Sequence, residues 1–457
     1  MAKIYRSTNP VTGEVVQEFP GLDDEAAAAL LDRAHEAYLT WKDTSIEERV
    51  TLFDRFADLL SERIDEIARI TTLEMGKALA QSVGEAQTVV EMFRYFAEHG
   101  PSLLREESVE VPGFSSGVIR KESVGVILGI EPWNGPLYQA MRATSPNLML
   151  GNTVIVKPSE QCPQSTLFFD KLFDEAGFPP NVYQTALISS AQATTFIEDD
   201  RVRGVTLTGS DKAGAAVGEQ AGRNIKPVVL ELGGSDAFVV LDDADIDKAA
   251  ATAATCRLVL GGQVCASPKR LIVAESVADQ FIERFASVFG SQVVGDPFDP
   301  NTTVGPLSSV GQADQVQEQL QDAIDRGAKV VVEGGRVEGP GAFFRPAAIE
   351  GITEEMRVYT EEVFGPVALI FRVPDDEAAV ELANSSRYGL GGTVFSENPE
   401  RAQAIARKLD TGAVGINAWA GAPIQIPFGG TKRSGVGREL GRTGLDQFAN
   451  MKTYLTA

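Results

Sequence analysis

Between residues 124 and 240 the chain repeats one pattern: a short apolar run, a turn, then a helical stretch with charged residues along it. That repeat narrows the fold more than any other feature. The apolar runs are Val124–Ile130, Thr153–Val156, Val182–Ile188, Val205–Leu207, Val228–Leu230 and Ala237–Leu241, with helical stretches such as Gln164–Ala176 and Lys212–Ala221 between them. Strands that alternate with helices pair in parallel and are covered on both faces, so the class is α/β. A second set runs from about residue 245 to 410, with strands Arg270–Val273, Val330–Val332, Val367–Phe371 and Gly392–Phe395 and helices such as Asp376–Ala383 and Pro399–Leu409.

Around these two sets lie two other kinds of segment. Residues 24–100 read as helical: Leu52, Phe53, Phe56, Leu59, Leu60 and Ile64 recur at helical spacing, Ser45 to Glu48 forms a capping pattern, and Gly100-Pro101 marks the end. Residues 105–123 read as a hairpin, with Val109 and Val111 alternating with polar residues, a turn at Pro112-Gly113 and a return through Val118-Ile119. The tail Phe448–Leu455 reads as a strand free to join another sheet. A chain of 457 residues suggests about three lobes at roughly 150 residues each. The expected plan is two α/β lobes plus a small β arm for oligomerisation.

Charge and cysteine usage exclude several classes. With 41 basic and 64 acidic residues the net charge is −23, and such a surface repels nucleic-acid phosphates and anionic membranes. An apolar content of 43% supplies ample cores. Three cysteines, Cys162, Cys256 and Cys265, argue against a disulfide framework. The first residues lack the apolar core of a signal peptide, and no run is long enough to span a bilayer. The expected location is therefore the cytoplasm. No His/Cys cluster has metal-ligand spacing, so no metal is expected.

Several runs carry chemistry. Cys265, after Gly261-Gly262 and before Ala266-Ser267-Pro268, is a thiol on a loop where backbone can approach a ligand; most cysteines, by contrast, are buried small hydrophobes, the reading given to Cys162 and Cys256. Glu231 follows the Val228–Leu230 strand and precedes Gly233-Gly234. It is either a strand-end surface acid or a base for a thiol or a water; with only His35 and His99, both in helical sequence, other bases are scarce. Asn134, in Pro132-Trp133-Asn134, is either an Asx-turn residue or an oxyanion donor. Lys157-Pro158-Ser159-Glu160 is either a solvated loop or a ribose site. Gly209-Ser210 opens a helix whose N–H groups suit a pyrophosphate, although G-x-G-x-x-G is absent. Gly113–Gly117 matches G-x-S-x-G without the strand-turn-helix setting of a nucleophile elbow. Gly430–Gly435 begins like a P-loop, but Val436 stands where a lysine is required.

Taken in order, these runs resemble the NAD(P)-dependent aldehyde dehydrogenase superfamily. The likeness rests on Pro132-Trp133-Asn134, Lys157-Pro158-Ser159-Glu160, Thr208-Gly209-Ser210, Glu231-Leu232-Gly233-Gly234, Gly262-Gln263-Val264-Cys265, Glu361–Pro366 and Pro427-Phe428-Gly429-Gly430, and on the spacing of Glu231 to Cys265 (265 − 231 = 34). The resemblance implies Cys265 as nucleophile, Asn134 with the Cys265 N–H as oxyanion site, and Glu231 as the base for deacylation. It implies a cofactor site of Trp133, Lys157, Ser159, Glu160, Gly209, Ser210, Leu232, Glu362 and Phe364. The carboxylate of Glu160 implies NAD rather than NADP, with NADP the alternative. It implies an aldehyde dehydrogenase-like fold with two Rossmann-like lobes. The dinucleotide-binding domain would span 1–104 and 124–233, the catalytic domain 234–433, and an element over 105–123 and 434–457 would pair subunits into a homodimer or homotetramer.

Within the superfamily the chain is most similar to bacterial succinate-semialdehyde dehydrogenases, through Glu231–Phe238 and through Arg142, eight residues after Asn134. An arginine there can hold a substrate carboxylate bidentately or serve as a structural helix residue. Three positions depart from the pattern: Gly135 replaces a phenylalanine, which should widen the substrate tunnel, Val259 replaces an arginine, and Ala422 a serine. Arg142, Gly135 and Phe428 define the expected substrate site. Succinic semialdehyde is one expected substrate and a bulkier aromatic or aliphatic aldehyde the other. A CoA-acylating enzyme, a cofactor-free esterase and a non-catalytic nucleotide-binding scaffold are the remaining readings. The intact set Asn134, Glu231 and Cys265 argues against the scaffold, and Glu231 against CoA in place of water.

Overall fold

The computed structural model describes residues 3–457. Its first large sheet has six strands in the order Gly435–Val436, Val228–Glu231, Val202–Thr208, Val126–Ile130, Thr153–Lys157 and Tyr183–Thr185. All neighbours are parallel except the edge pair Gly435–Val436. From Val126–Ile130 the next strands in sequence build outward on one side, and Val202–Thr208 then starts the other side. The order thus reverses at Val126–Ile130, and the carboxyl ends of that strand and of Val202–Thr208 frame the crevice where ligands bind in open α/β sheets.

The second sheet has seven strands, ordered Lys329–Val332, Ala347–Glu350, Val367–Val373, Pro268–Ala274, Asp236–Val240, Gly391–Phe395 and Ala413–Ile416. Only the first pair is antiparallel. The chain crosses from one sheet to the other in four residues, leaving the first at Glu231 and entering the second at Asp236. The strand beside Asp236–Val240 is Pro268–Ala274, which begins just after Cys265. The crossing therefore brings Glu231 and Cys265 to one boundary although they lie on different sheets.

Of four helices, Asp24–Trp41, Ile46–Glu62, Ile64–Met75 and Leu79–Leu103, the first packs on the first sheet, and the other three pack on one another and on the sheet's covering helices Pro136–Leu150 and Pro163–Ala176. Ser45 Oγ accepts from Glu48 N at 3.2 Å, so the expected cap forms. The helical pattern buries Phe53, Phe56 and Phe93 against Phe169 and Phe173, and the Phe56 and Phe93 rings stack at 4.0 Å.

Two expectations need correction. Gly100-Pro101 does not end the fourth helix, which continues to Leu103. Proline removes a single N–H in a last turn, and Leu104 N closes that turn on Gly100 O at 2.9 Å. Gly100 is there for packing: a Cβ on it would meet the Met149 side chain at 2.8 Å. The expected arm segment 434–457 also starts too early. Gly435–Val436 hydrogen-bonds onto Leu230 and Glu231, and only Ala449–Thr456 pairs along Ser116–Ser123. Glu107–Val109 completes that three-stranded sheet from the other side, and Gly113–Gly117 lies in its hairpin. Among the described residues no helix is long and apolar enough to cross a membrane.

Candidate active site

Cys265 sits on a loop whose shape is set by backbone conformation and by two buried cations. Leu260, Gly261 and Gly262 all have positive φ (52°, 62° and 74°). A side chain on Gly262 would run into the carbonyl of Gly365, so the tight approach of the loop to residues 363–365 needs a glycine. Arg257, fully buried, binds that approach: its guanidinium donates to Val367 O and Val363 O at 2.9 Å, to Gly262 O at 3.0 Å, and to Gly365 O. Burial lowers its pKa to about 9. Lys269 donates from Nζ to Val264 O at 2.7 Å and to Cys265 O at 2.5 Å, and pairs with Glu362 at 3.0 Å. Trp419 Nε1 donates to Ala266 O at 2.9 Å.

Asn134 follows the Val126–Ile130 strand, and its Nδ2 donates to Gln263 O at 2.9 Å. Gln263 is itself fixed, since its Oε1 accepts from Ser308 N at 3.0 Å and its Nε2 donates to Leu260 O at 3.0 Å. The Asn134 amide has a second N–H left for a ligand. The main-chain N–H of Cys265 meets no acceptor among the described residues.

Glu231 ends its strand 1% exposed, and neither carboxylate oxygen has a partner among the described residues. Burial pushes its pKa well above the usual carboxylate range; Arg142 pulls the other way and Glu439 adds to the rise. Burial likewise raises the Cys265 thiol to about 11, while the charges of Lys269 and Arg142 favour the thiolate.

Two cavities meet at this point. One, of about 450 Å³, is lined by Trp133, Asn134, Gly209, Ser210, Glu231, Leu232, Cys265, Glu362 and Phe364 among others. Ser210 caps the helix Asp211–Arg223, and Trp133 and Phe364 meet edge to face at 5.6 Å. Glu362 Oε1 accepts from Gly234 N at 3.0 Å. Lys157, Ser159 and Glu160 are not part of its wall. They lie one strand further along the sheet, where Glu131 N reaches Lys157 O at 3.0 Å.

The other cavity, of about 350 Å³, also reaches Asn134 and Cys265 and is walled by Tyr138, Val259, Leu260, Trp419, Ala422 and Phe428. Its surface is largely apolar, and its two cations are both matched. Arg142, 1% exposed, pairs with Glu439, donates to Thr208 Oγ1 at 2.9 Å and lies over the Phe428 ring at 5.1 Å. Burial works against its charge, yet Glu439 holds the guanidinium protonated. Lys77 pairs with Glu85. Glu85 Oε1 also accepts from Leu137 N and Tyr138 N at 2.9 Å and would lie 3.3 Å from a Cβ on Gly135. The space expected beside Gly135 is thus partly taken by a carboxylate capping the following helix.

Sequence reasoning missed Lys269, Arg257, Glu439 and Glu131. Glu131 is buried beside Arg142 and Glu439, and burial first, then the Glu439 charge, raises its pKa well above the usual range. Only the unusual placement of a carboxylate before Pro132-Trp133-Asn134 was a signal for it; Lys269 and Glu439 lie in ordinary-looking sequence and Arg257 lies in the last turn of an alanine-rich helix.

Residues 2–454 match the aldehyde dehydrogenase family. Over 98% of this chain and 94% of the relative, the sequence is 48% identical to a succinate-semialdehyde dehydrogenase [NADP(+)] of Deinococcus radiodurans. It is 41% identical to succinate-semialdehyde dehydrogenase [NADP(+)] 1 of Mycobacterium tuberculosis, over 98% of this chain and 99% of the relative. Among solved structures, the succinic semialdehyde dehydrogenase of Streptococcus pyogenes in complex with NADP+ superposes with a TM-score of 0.96 at 40% identity, covering 98% of this chain and 99% of that one. Betaine aldehyde dehydrogenase of Staphylococcus aureus with NAD+ superposes with a TM-score of 0.94 at 32% identity, over 99% and 92%.

Proposed function

This chain belongs to the aldehyde dehydrogenase family, and on that premise we propose that it oxidises an aldehyde to the carboxylic acid with NAD(P)+, through a thioester on Cys265. The observation that carries the proposal is the meeting of two cavities at Asn134 and Cys265, with Glu231 on the wall of the first. The first cavity fits a nicotinamide dinucleotide by its donor set: a Ser210-capped helix start for the pyrophosphate, Glu362 for a ribose, and Trp133, Leu232 and Phe364 as apolar walls. Lys157, Ser159 and Glu160 take the adenosine ribose one strand away. When bound, the nicotinamide ring accepts the hydride.

The protein's own groups do the rest. Cys265 Sγ, as thiolate, bonds to the aldehyde carbon that enters from the apolar cavity. The oxygen becomes an oxyanion, met by the free Asn134 N–H and the free Cys265 N–H; one such donor is worth roughly 3–4 kcal/mol in comparable sites. Loss of hydride leaves the thioester. Glu231 takes a proton from water, the hydroxide adds to the acyl carbon, and the Cys265–carbon bond breaks to release the acid. The test is Cys265→Ala beside Glu231→Gln. The first removes all dehydrogenase activity. The second keeps a first-turnover burst of NAD(P)H and loses the steady state. Undiminished turnover in Cys265→Ala would sink the scheme.

For the substrate, the succinate-semialdehyde dehydrogenases named above favour succinic semialdehyde, with Arg142 on the cavity wall as the cation for its carboxylate. A second reading, an uncharged aromatic or aliphatic aldehyde, is supported by the Arg142–Glu439 pair, which already balances that charge, and by the Tyr138, Trp419 and Phe428 walls. The ratio of kcat/KM for succinic semialdehyde and benzaldehyde decides between them. We also propose that the three-stranded arm pairs subunits into a dimer or tetramer, since its outer strand Ala449–Thr456 exposes Met451, Tyr454 and Leu455 on an open sheet edge.

A further inference from the structure

The carboxylate of Glu160 stands where the adenosine ribose is proposed to bind, and a carboxylate there repels a 2′-phosphate. Yet the succinate-semialdehyde dehydrogenases named above carry NADP(+) in their names or complexes, although the betaine aldehyde dehydrogenase carries NAD+. The N-terminal strand Ile4–Thr8 supplies what reconciles the two. It is anchored beside the 157–160 turn: Tyr5, fully buried, donates from Oη to Ile188 O at 2.7 Å; Arg6 N donates to Glu160 O at 3.1 Å; and Gln164 Nε2 donates to Ser7 Oγ at 3.1 Å. Lys3, one residue ahead of the strand, ion-pairs with Glu160, and both side chains remain partly open to solvent (39% and 46%). Lys157 Nζ lies over the Tyr5 ring at 5.7 Å. Burial lowers the Lys157 pKa, Glu160 raises it and Lys3 lowers it again, so the three charges share one field. The other nearby cation, Arg6, is tied to Glu18 at 2.8 Å.

We infer that Lys3 is a cofactor-specificity residue: its ammonium offsets Glu160 and, with Lys157, admits the 2′-phosphate of an NADP-type dinucleotide at the ribose site. The inference rests on the reading of Lys157 and Glu160 as the adenosine-ribose site. Two carboxylate-neutralising cations against one carboxylate leave a local charge of about +1, which suits a phosphate. Because Lys3 and Glu160 are exposed enough to move, a bound phosphate can draw Lys3 from the carboxylate while Glu160 keeps a ribose hydroxyl.

The test is calorimetric binding of 2′,5′-ADP and of 5′-AMP to the full-length protein, for wild type, Lys3→Ala, Lys3→Arg and Glu160→Gln. These ligands differ only in the 2′-phosphate, and no turnover is needed. Lys3→Ala should weaken 2′,5′-ADP by about tenfold, the effect of one charge at close range in a half-screened site, and leave 5′-AMP within about twofold. Lys3→Arg should restore 2′,5′-ADP binding. Added salt should erode the wild-type preference and leave Lys3→Ala less affected. Equal affinity of Lys3→Ala and wild type for 2′,5′-ADP overturns the inference, as does an equal loss for both ligands, which would mark Lys3 as merely structural. Glu160→Gln separates the two levels. It should weaken 5′-AMP if Glu160 holds the ribose; if 5′-AMP is unaffected, the ribose assignment itself fails.

Discussion

Asn134 Nδ2 and Gln263 O are 2.9 Å apart, and this hydrogen bond ties the end of a strand in the first sheet to the loop that carries Cys265. The proposed oxyanion donor is therefore held by the loop it serves. Its orientation is fixed before substrate arrives, as an electrostatic site requires.

Asn134→Ala should cost about 10²–10³-fold in kcat, the usual loss on removing one oxyanion donor. Asn134→Asp should cost at least as much, because it replaces the donor by an acceptor facing Gln263 O. Stopped-flow NAD(P)H formation measures both. A burst amplitude and rate equal to wild type in Asn134→Ala would remove this residue from the site.

The Cys265 thiol is raised to about 11 by burial, so in the protein without ligands the thiolate fraction at neutral pH is small. Iodoacetamide should therefore modify Cys265 slowly at pH 7 and progressively faster up to about pH 11. Lys269→Met removes the charge that most favours the thiolate, along with two hydrogen bonds to the loop, and should shift this profile further upward. Mass spectrometry of the Cys265 peptide reads the rate separately from Cys162 and Cys256.

Glu231 has its folded pKa raised by burial, so protonation wins at lower pH and the base is absent there. Deacylation should rise with pH, with its acidic limb well above the ordinary carboxylate range. Glu231→Asp should keep the limb at lower rate and Glu231→Gln should abolish it. A pH-independent steady-state rate in wild type from pH 5 to 9 would contradict this role.

Arg142→Met leaves Glu439 buried without its cation. Breaking a buried pair from one side costs roughly 3–5 kcal/mol, so chemical denaturation should show a large loss, and Arg142→Met with Glu439→Leu a smaller one. The same variants divide the substrate readings. If the double variant keeps the KM for benzaldehyde and loses that for succinic semialdehyde, Arg142 also serves the substrate. If both are unchanged, Arg142 is a packing residue.

Leu455→Lys should lower the sedimentation coefficient toward that of a single chain of 48.9 kDa if the arm pairs subunits through its outer strand. An unchanged coefficient would place the interface elsewhere.

Periodicity and turn chemistry were enough to find the alternating strands and to place Asn134, Gly209 and Glu231 at strand ends, because these are local properties of a few consecutive residues. The reversal of strand order at Val126–Ile130, which makes one crevice of those ends, is a long-range property and came only with the sheets. Strand lengths also shifted: the run Val182–Ile188 pairs only over Tyr183–Thr185, since apolar residues in a loop can be buried without being laddered.

The sequence by itself determined the α/β class and the identity of the thiol, the amide and the carboxylate, each flagged by its neighbours in the chain. Tertiary structure decided which charges are free. Arg142 is matched by Glu439 from far along the chain, Lys3 by Glu160, Lys77 by Glu85 and Lys269 by Glu362. The physical reason is that a side chain's chemistry is written in its own residue, whereas its protonation, exposure and partner depend on groups brought together only when the sheets close over them.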